Sequence, residues 1–366
     1  MSSEAVERAT LTPGGNAAAG PLGSCPAPIA QRDRILIGHG SGGRLTSKLV
    51  EELILPAFRN PALEPLDDQA LLALPDAGTL AFTTDSYVVS PYFFPGGDIG
   101  SLAVHGTVND LAMGGARPVA LSLSLILEEG LPLDDLRRVI ESARDAAAAV
   151  GVPVVTGDTK VVGRGSGDGI FVNTSGVGVV PKGVALGSSH IRAGDHILVS
   201  GTIGDHGMAI MARRQRLELE GELVSDSAPL HDLAASLLAA CPGVRAMRDP
   251  TRGGLAATLV EIASRRQLGV EADETAIPVR DTVRGACEIL GLDPLHVANE
   301  GKLVAFVPEE GVEAALAALR DHPLGRDAAW IGKVTVDHPG LVVLRTPVGG
   351  KRILDLPYAE ALPRIC

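Results

Sequence analysis

Leu133, Leu136, Val139, Ile140, Ala143, Ala147 and Val150 recur at steps of three and four residues, which puts one apolar face on a helix that Gly151 ends. An apolar strand pattern over 118–127 precedes this helix and another over 152–156 follows it. A helix set so closely between strands makes the chain a mixture of α and β, and the remaining patterns repeat that mixture.

Before this unit, the spacing predicts a helix over 45–58, strands over 70–74 and 79–84, and a helix over 101–114. A strand over 170–180 closes a first α+β half. A Gly194-Asp195 turn leads to a strand at 196–200, and helices are expected near 205–214, 230–240, 254–266 and 281–290. A strand at 303–307, a helix at 312–319 and strands near 330–336 and 341–344 complete a second mixed half. The first 33 residues, rich in Ala, Gly, Pro, Ser and Thr, read as a disordered extension, and 359–366 as a free, mobile tail. The expected division is therefore 1–33, 34–185, 186–358 and 359–366, and at roughly 100–200 residues per domain the length of 366 suits two folded domains.

Composition narrows the partners. The chain carries 32 basic against 44 acidic side chains, a net charge of −12, and only 3% aromatic residues. That gives neither the basic field nor the stacking platforms of a nucleic-acid binder. Mean hydropathy is +0.22, but no run of about 18 apolar residues occurs, so no membrane span is expected. Met1 to Thr10 holds Glu4 and Glu7 and lacks the apolar core of a secretory signal. Cys25, Cys241, Cys287 and Cys366 are scattered without metal spacing, which suits a reducing compartment, and the cytoplasm is the expected location.

Several stretches carry possible chemistry. Gly38-His39-Gly40-Ser41-Gly42-Gly43-Arg44 places four glycines just before a helix, where backbone N–H groups can approach an anion; the same run also suits an ordinary flexible turn. Acids stand beside small residues at Asp67-Asp68, Thr84-Asp85, Asn109-Asp110, Gly157-Asp158-Thr159-Lys160 and Asp249-Pro250-Thr251-Arg252-Gly253-Gly254. Mg²⁺ takes oxygen ligands, typically one or two carboxylates plus nucleotide phosphates, so dispersed acids and a glycine loop fit a Mg–nucleotide site; singly, each Asp fits a cap or turn as well. Lys160, read as lying in a glycine-rich turn, could neutralise a phosphoryl group or remain a solvated loop lysine. Glu300, in Val297-Ala298-Asn299-Glu300-Gly301, lies between an apolar stretch and a glycine; partial burial would raise its pKa and suit it to proton transfer, while a surface turn would leave it an ordinary acid. Cys366 is the last residue, where a thiol has no packing reason to be, and Arg364 stands near enough to offset the terminal carboxylate.

Taken together, GHGSGGRLT (38–46), FTTDSYVVSPYFFPGGDIG (82–100), VNDLAMGGARP (108–118), TGDTKVV (156–162), SGTIGDHG (200–207), MRDPTRGGLA (247–256), VANEGKL (297–303) and the terminal PRIC (363–366) resemble the HypE family of hydrogenase maturation proteins. That family sits in the superfamily of aminoimidazole ribonucleotide synthetase, thiamine-monophosphate kinase and selenophosphate synthetase. The resemblance runs from about residue 34 to 366, and only the N-terminal extension departs from it. It implies an α+β fold of two mixed domains of the aminoimidazole ribonucleotide synthetase type, a homodimer through the N-terminal halves, and ATP with Mg²⁺ in a cleft closed by the glycine loop. It also implies ATP-dependent dehydration of a carbamoyl group on Cys366 to a thiocyanate, the source of cyanide for [NiFe] hydrogenase. The carbamoyltransferase HypF would load the cysteine, and the HypC–HypD complex would take the cyanide.

On this resemblance Cys366 carries the substrate, Glu300 is the base, and Lys160 polarises the carbamoyl oxygen or steadies the phosphoryl group, the last two being open to exchange. Asp68, Asp85, Asp110 and Asp249 would meet Mg²⁺ and the triphosphate. Gly40, Ser41, Gly42, Gly43, Asn109, Asp158, Thr251 and Arg252 would support the nucleotide. Two other readings stand beside it: a small-molecule ATP enzyme of the selenophosphate synthetase kind, for which Cys25 is a poor reactive cysteine, and a non-catalytic nucleotide-dependent scaffold.

Overall fold

Past a 3-10 turn at Ile37–Gly40, Arg44–Leu49 (α1) runs through a π-turn, Val50–Ile54, into Leu55–Phe58 (α2). Gly78–Tyr87 (β1) follows, then the short strands Phe93–Phe94 (β2) and Gly97–Asp98 (β3), Ile99–Met113 (α3), Arg117–Glu128 (β4), Leu133–Val150 (α4), Val154–Val162 (β5) and Ile170–Pro181 (β6). The computed structural model describes residues 33–40, 44–64, 78–217, 220–356 and 364–366. Arg34–Cys366 form one contact unit, and of the other, Met1–Asp33, only Asp33 is described. The extension, the strand expected at 70–74, Asp68, and Ser41, Gly42 and Gly43 of the glycine run lie outside the described residues.

The first sheet has the order β1-β6-β4-β5, with β4 and β5 parallel and the other pairs antiparallel. In-register residues share a face. Asp85, Thr174, Leu123 and Gly157 lie on the inner face, and Ser86, Asn173, Ser124 and Asp158 on the outer one. α3 packs on the inner face, and its start is fixed by Asp98, which accepts from the N–H groups of Gly100 and Ser101 in a capping box. Gly106 is required there, since a Cβ would stand 2.1 Å from the Tyr87 hydroxyl. α4 buries Leu136, Val139, Ile140, Ala143 and Ala147 and stops at Gly151, whose φ of 73° is the left-handed geometry a glycine tolerates.

The second half comprises His196–Val199 (β7), Asp205–Gln215 (α5), His231–Ala240 (α6), Ala246–Arg248 (β8), Gly254–Arg266 (α7), Gly269–Asp273 (β9), Asp281–Leu290 (α8), Val304–Val307 (β10), Val312–Asp321 (α9), Ala329–Thr335 (β11), Val342–Arg345 (β12) and Lys351–Leu354 (β13). Its sheet order is β13-β12-β9-β11-β7-β10-β8. α7 covers one side with Leu255, Leu259 and Ile262 against Val199, Phe306 and Leu344. The two halves share a core: Leu102, Val104 and Val172 of the first half pack in one cluster with Met208, Val283 and Val297 of the second and with Ile365.

One expectation is corrected. Lys160 is not in a turn but inside β5, where it pairs with Ile126 of β4. The glycine that suggested a turn, Gly157, is instead a close approach between strands, because a Cβ there would lie 2.1 Å from the Leu123 carbonyl oxygen. Of the expected tail only Arg364–Cys366 are described, and they are docked: the Val88 N–H donates to a carboxylate oxygen of Cys366 at 3.1 Å and the Ser90 N–H to the Arg364 carbonyl at 3.3 Å. This antiparallel pairing continues the open edge of β1, and Ile365 is buried beneath it. Burying a side chain of that size stabilises by about 1.5–3 kcal/mol, which holds a short segment that composition alone would leave loose.

Candidate active site

Strand alternation brings Thr83, Asp85 and Tyr87 to the inner face of β1, opposite Asp110 on α3. The Thr83 hydroxyl donates to Asp110 Oδ2 at 2.7 Å, and burial raises the pKa of Asp110, with Asp85 adding to the effect. Asp249 follows β8 on the facing half. Burial and then the Asp110 charge push its carboxyl up to about 7.

Glu300 is buried, only 3% exposed, with Oε1 lacking a hydrogen-bond partner. Its pKa is pushed well above the usual carboxylate range, first by burial and then by the charges of Asp249, Asp226, Asp85 and Asp110. Its loop is held from below by Asp226, whose Oδ1 accepts from the Glu300 N–H at 3.1 Å and whose Oδ2 accepts from the Gly301 N–H at 3.3 Å. Burial alone would raise the Asp226 carboxyl too, but the Lys302 ammonium, 3.0 Å away, outweighs it and keeps Asp226 below its usual value. One buried carboxylate is thus paired and fixed while its neighbour is left with an unanswered oxygen. That difference separates a structural acid from a proton acceptor.

Asn109 is also buried, and its amide is engaged by the protein: Nδ2 donates to the carbonyls of Ala228 and Glu300, and Oδ1 accepts from the Leu230 N–H at 2.7 Å. It joins α3 to the Glu300 and Asp226 loops instead of projecting into open space. Thr251 is half-buried and Arg252 exposed, in the turn between Asp249 and α7. Gly253 and Gly254 there have φ of 74° and 63°. A Cβ on Gly254 would sit 2.5 Å from the Val297 carbonyl oxygen, so the glycine lets this turn rest against the Glu300 loop. Gly40 ends the 3-10 turn before α1.

Lys160 and Asp158 stand apart from this group. They occupy the outer face of the first sheet, joined to each other at 2.7 Å, with side chains 63% and 58% exposed. Cys366, by contrast, is half-buried and packs against the shared core, its carboxylate bonded to the residue after Tyr87. Tyr87 in turn lies within the electrostatic reach of Asp85 and Glu300.

Among the described residues no three His, Cys, Asp or Glu side chains are gathered closely enough to hold a metal ion alone. The mutually repelling Asp85, Asp110, Asp249 and Glu300 nevertheless fit a Mg²⁺ that arrives with phosphate ligands of its own, since the raised proton affinities of Asp110, Asp249 and Glu300 mark an environment short of positive charge. Asp226 belongs to this site although no local pattern singles it out, and Lys302, His206 and Asn299 join it from stretches the sequence marks without giving these residues a role. Asn299 accepts from the Gly204 N–H at 2.7 Å and donates to the Pro250 carbonyl at 2.9 Å, which ties three loops together.

Comparison with known proteins decides the lineage. Residues 66–180 match the model of the AIR synthase related protein N-terminal domain, and residues 192–344 that of the C-terminal domain. The carbamoyl dehydratase HypE of Cupriavidus necator is 56% identical over 333 residues, 91% of this chain and 95% of that one. The chain belongs to the HypE family. A solved structure of the hydrogenase maturation protein HypE in complex with ATP is similar at 51% identity and a TM-score of 0.87, covering 90% of this chain and 99% of that one. HypE from a HypE–HypF complex is similar at 45% identity and a TM-score of 0.74, covering 84% and 99%. The HypE relatives thus cover about nine-tenths of this chain and nearly all of their own length.

Proposed function

We propose that this chain is an ATP-dependent carbamoyl dehydratase of hydrogenase maturation, which converts an S-carboxamide on its own Cys366 to a thiocyanate. The observation that carries the proposal is the Arg364–Cys366 segment, docked against Val88 and Ser90 just past β1, in a chain that also buries Glu300 with an oxygen that has no hydrogen-bond partner. A thiol held against the body of its own chain by this docking is placed to present a bound group for reaction within one molecule. The similarity to HypE solved with ATP and to HypE solved with HypF supports ATP as co-substrate and HypF as the carbamoyl donor.

The reaction must remove oxygen from a carboxamide. Transfer of the γ-phosphoryl group of ATP to the carboxamide oxygen makes that oxygen a phosphate leaving group. The C–O bond then breaks, the nitrogen gives up its two protons, and the products are S–C≡N, ADP and inorganic phosphate. Glu300 is the group we assign to take a proton, because a carboxylate buried among other acids binds protons more strongly than one in water. Asp85, Asp110 and Asp249, with Asp68, would hold Mg²⁺, which supplies charge neutralisation of the transferring phosphoryl group. The glycine run Gly40 to Gly43 and the turn of Thr251 and Arg252 would receive phosphate through backbone N–H groups, and Asn109 positions the loops behind them.

Lys160 acts, on this reading, from the outer sheet face of a second copy. Leu80 and Phe82, 56% and 68% exposed on that same face, supply apolar surface for a homodimer. Cyanide would pass to the HypC–HypD complex. Among the described residues no helix is long and apolar enough to cross a membrane, and we assign the chain to the cytoplasm with its maturation partners.

The deciding experiment is the mass of the C-terminal peptide after incubation with HypF, carbamoyl phosphate and ATP. A shift on Cys366 equal to one carbamoyl group less one water supports the proposal. An unmodified Cys366, with HypF shown active, would return the chain to the small-molecule ATP enzymes of the same fold.

A further inference from the structure

The docked tail is gripped mostly by its backbone. Besides the pairing with Val88 and Ser90, the Arg214 guanidinium donates to the Arg364 carbonyl at 2.7 Å and to the Ser90 carbonyl at 2.9 Å, and His206 Nε2 meets the Ile365 carbonyl at 2.9 Å. Both Arg214 and His206 come from α5, one near each end. The Arg364 side chain adds an ion pair with Asp168 and lies over the Phe171 ring. Arg364 itself has a φ of 58°, a left-handed conformation that a non-glycine residue keeps only when its surroundings impose it.

His206 differs from the other contacts because it has a second partner. A carbonyl can only accept, so Nε2 carries the proton and donates to Ile365. In the neutral ring Nδ1 then accepts from the Ser225 hydroxyl, 2.7 Å away. The ring is fully buried and meets the Phe94 ring edge-on, so its orientation is fixed on every side. Ser225 is followed by Asp226, the residue that accepts from the N–H groups of Glu300 and Gly301. A single imidazole therefore spans the tail and the segment on which the base rests.

We propose that His206 is a positioning residue that seats the substrate-bearing tail and, through Ser225 and Asp226, sets the tail against Glu300. The link to catalysis rests on the dehydratase reading, whereas the seating itself does not. Tail seating is read from the alkylation rate of Cys366 by iodoacetamide, followed on the C-terminal peptide by mass, with no need for carbamoyl transfer or ATP.

Asparagine places its polar atoms near Nδ1 and glutamine places its amide near Nε2, so the two substitutions separate the partners. His206→Asn keeps the Ser225 contact, loses the tail contact, and should speed Cys366 alkylation by about 2- to 10-fold, the effect of one hydrogen bond on an opening equilibrium. His206→Gln should restore the wild-type rate. In single-turnover dehydration His206→Asn should lower the rate while leaving the KM for ATP unchanged, a split that general loosening of the fold would not give. Ser225→Ala, which keeps the imidazole but removes the hydroxyl that orients it, should give a smaller rise in alkylation and stands in if the Asn variant does not fold. Equal alkylation rates in the wild type and in whichever of the two variants folds would overturn the proposal, as would equal acceleration by Asn and Gln. If the seating results hold while Cys366 never gains the thiocyanate mass, the dehydratase reading fails and the latch remains.

Discussion

The two faces of the first sheet are built from neighbouring residues and have opposite electrostatics. On the inner face Asp85 joins Asp110, Asp249 and Glu300, and burial pushes the carboxyls of Asp110, Asp249 and Glu300 toward the protonated form. One residue further along each strand, on the outer face, Asp158 and Lys160 form an ion pair in water. An exposed pair of that kind contributes roughly 0–1 kcal/mol, whereas buried acids without a counter-charge alter proton affinity by far more. The comparison teaches that desolvation, more than the number of charges, prepares this site. The acids of the inner face come together within one chain, whereas the outer face requires a second body to become anything but a solvated surface.

The largest test of that contrast is Glu300→Gln. Removing a proton acceptor should lower the dehydration rate by about 10²- to 10⁴-fold while ATP still binds. Because burial already disfavours the charged carboxylate when no nucleotide is bound, the amide should cost little stability in the free protein. Turnover within threefold of wild type would transfer the base role elsewhere. A milder test is Asp249→Asn. The folded pKa of Asp249 is raised from 3.8 to about 7, so the stability this group contributes is present below pH 4 and is lost as pH rises through 7. Without nucleotide and with EDTA, the variant should melt roughly 2–4 °C above wild type at pH 8, with the gap closing near pH 4. Parallel melting curves across that range would show that Asp249 is not desolvated in solution.

The sequence made the inner face partly legible. α4 stands out because its seven apolar positions repeat at the helical period, and Asp110, Asp249 and Glu300 stand out because each is an acid beside small residues. β9 and β13 do not, since Glu271, Asp273, Lys351 and Arg352 alternate with only a few buried residues, and short, charged strands look like loop. Asp226 sits between two serines and reads as a turn; its importance comes from bonds to residues 74 and 75 positions away, which no local spacing records. The tail illustrates the same limit. Ile365 is one apolar residue near a terminus, and only the core formed by α5, α8 and β1 gives it a place to go.

The smallest effect on stability, and the sharpest on the comparison, should come from Lys160→Ala. Losing a solvated ion pair should leave the melting temperature within about 1 °C of wild type, as for most surface substitutions. Dehydration should nevertheless fall by about tenfold or more if the outer face of one copy serves the inner face of another. Mixing then separates the arrangements. Chains carrying Lys160→Ala and chains carrying Glu300→Gln are each impaired alone, but a mixed dimer contains one site with an intact Glu300 from one chain and an intact Lys160 from the other. Random re-pairing should therefore restore about a quarter of wild-type activity. If the mixture stays as inactive as its components, Lys160 serves its own chain, and reaching Glu300 from the outer face would require a movement of β5. If Lys160→Ala alone leaves dehydration unchanged, the outer face takes no part in the reaction and the chemistry is confined to the buried side of the sheet.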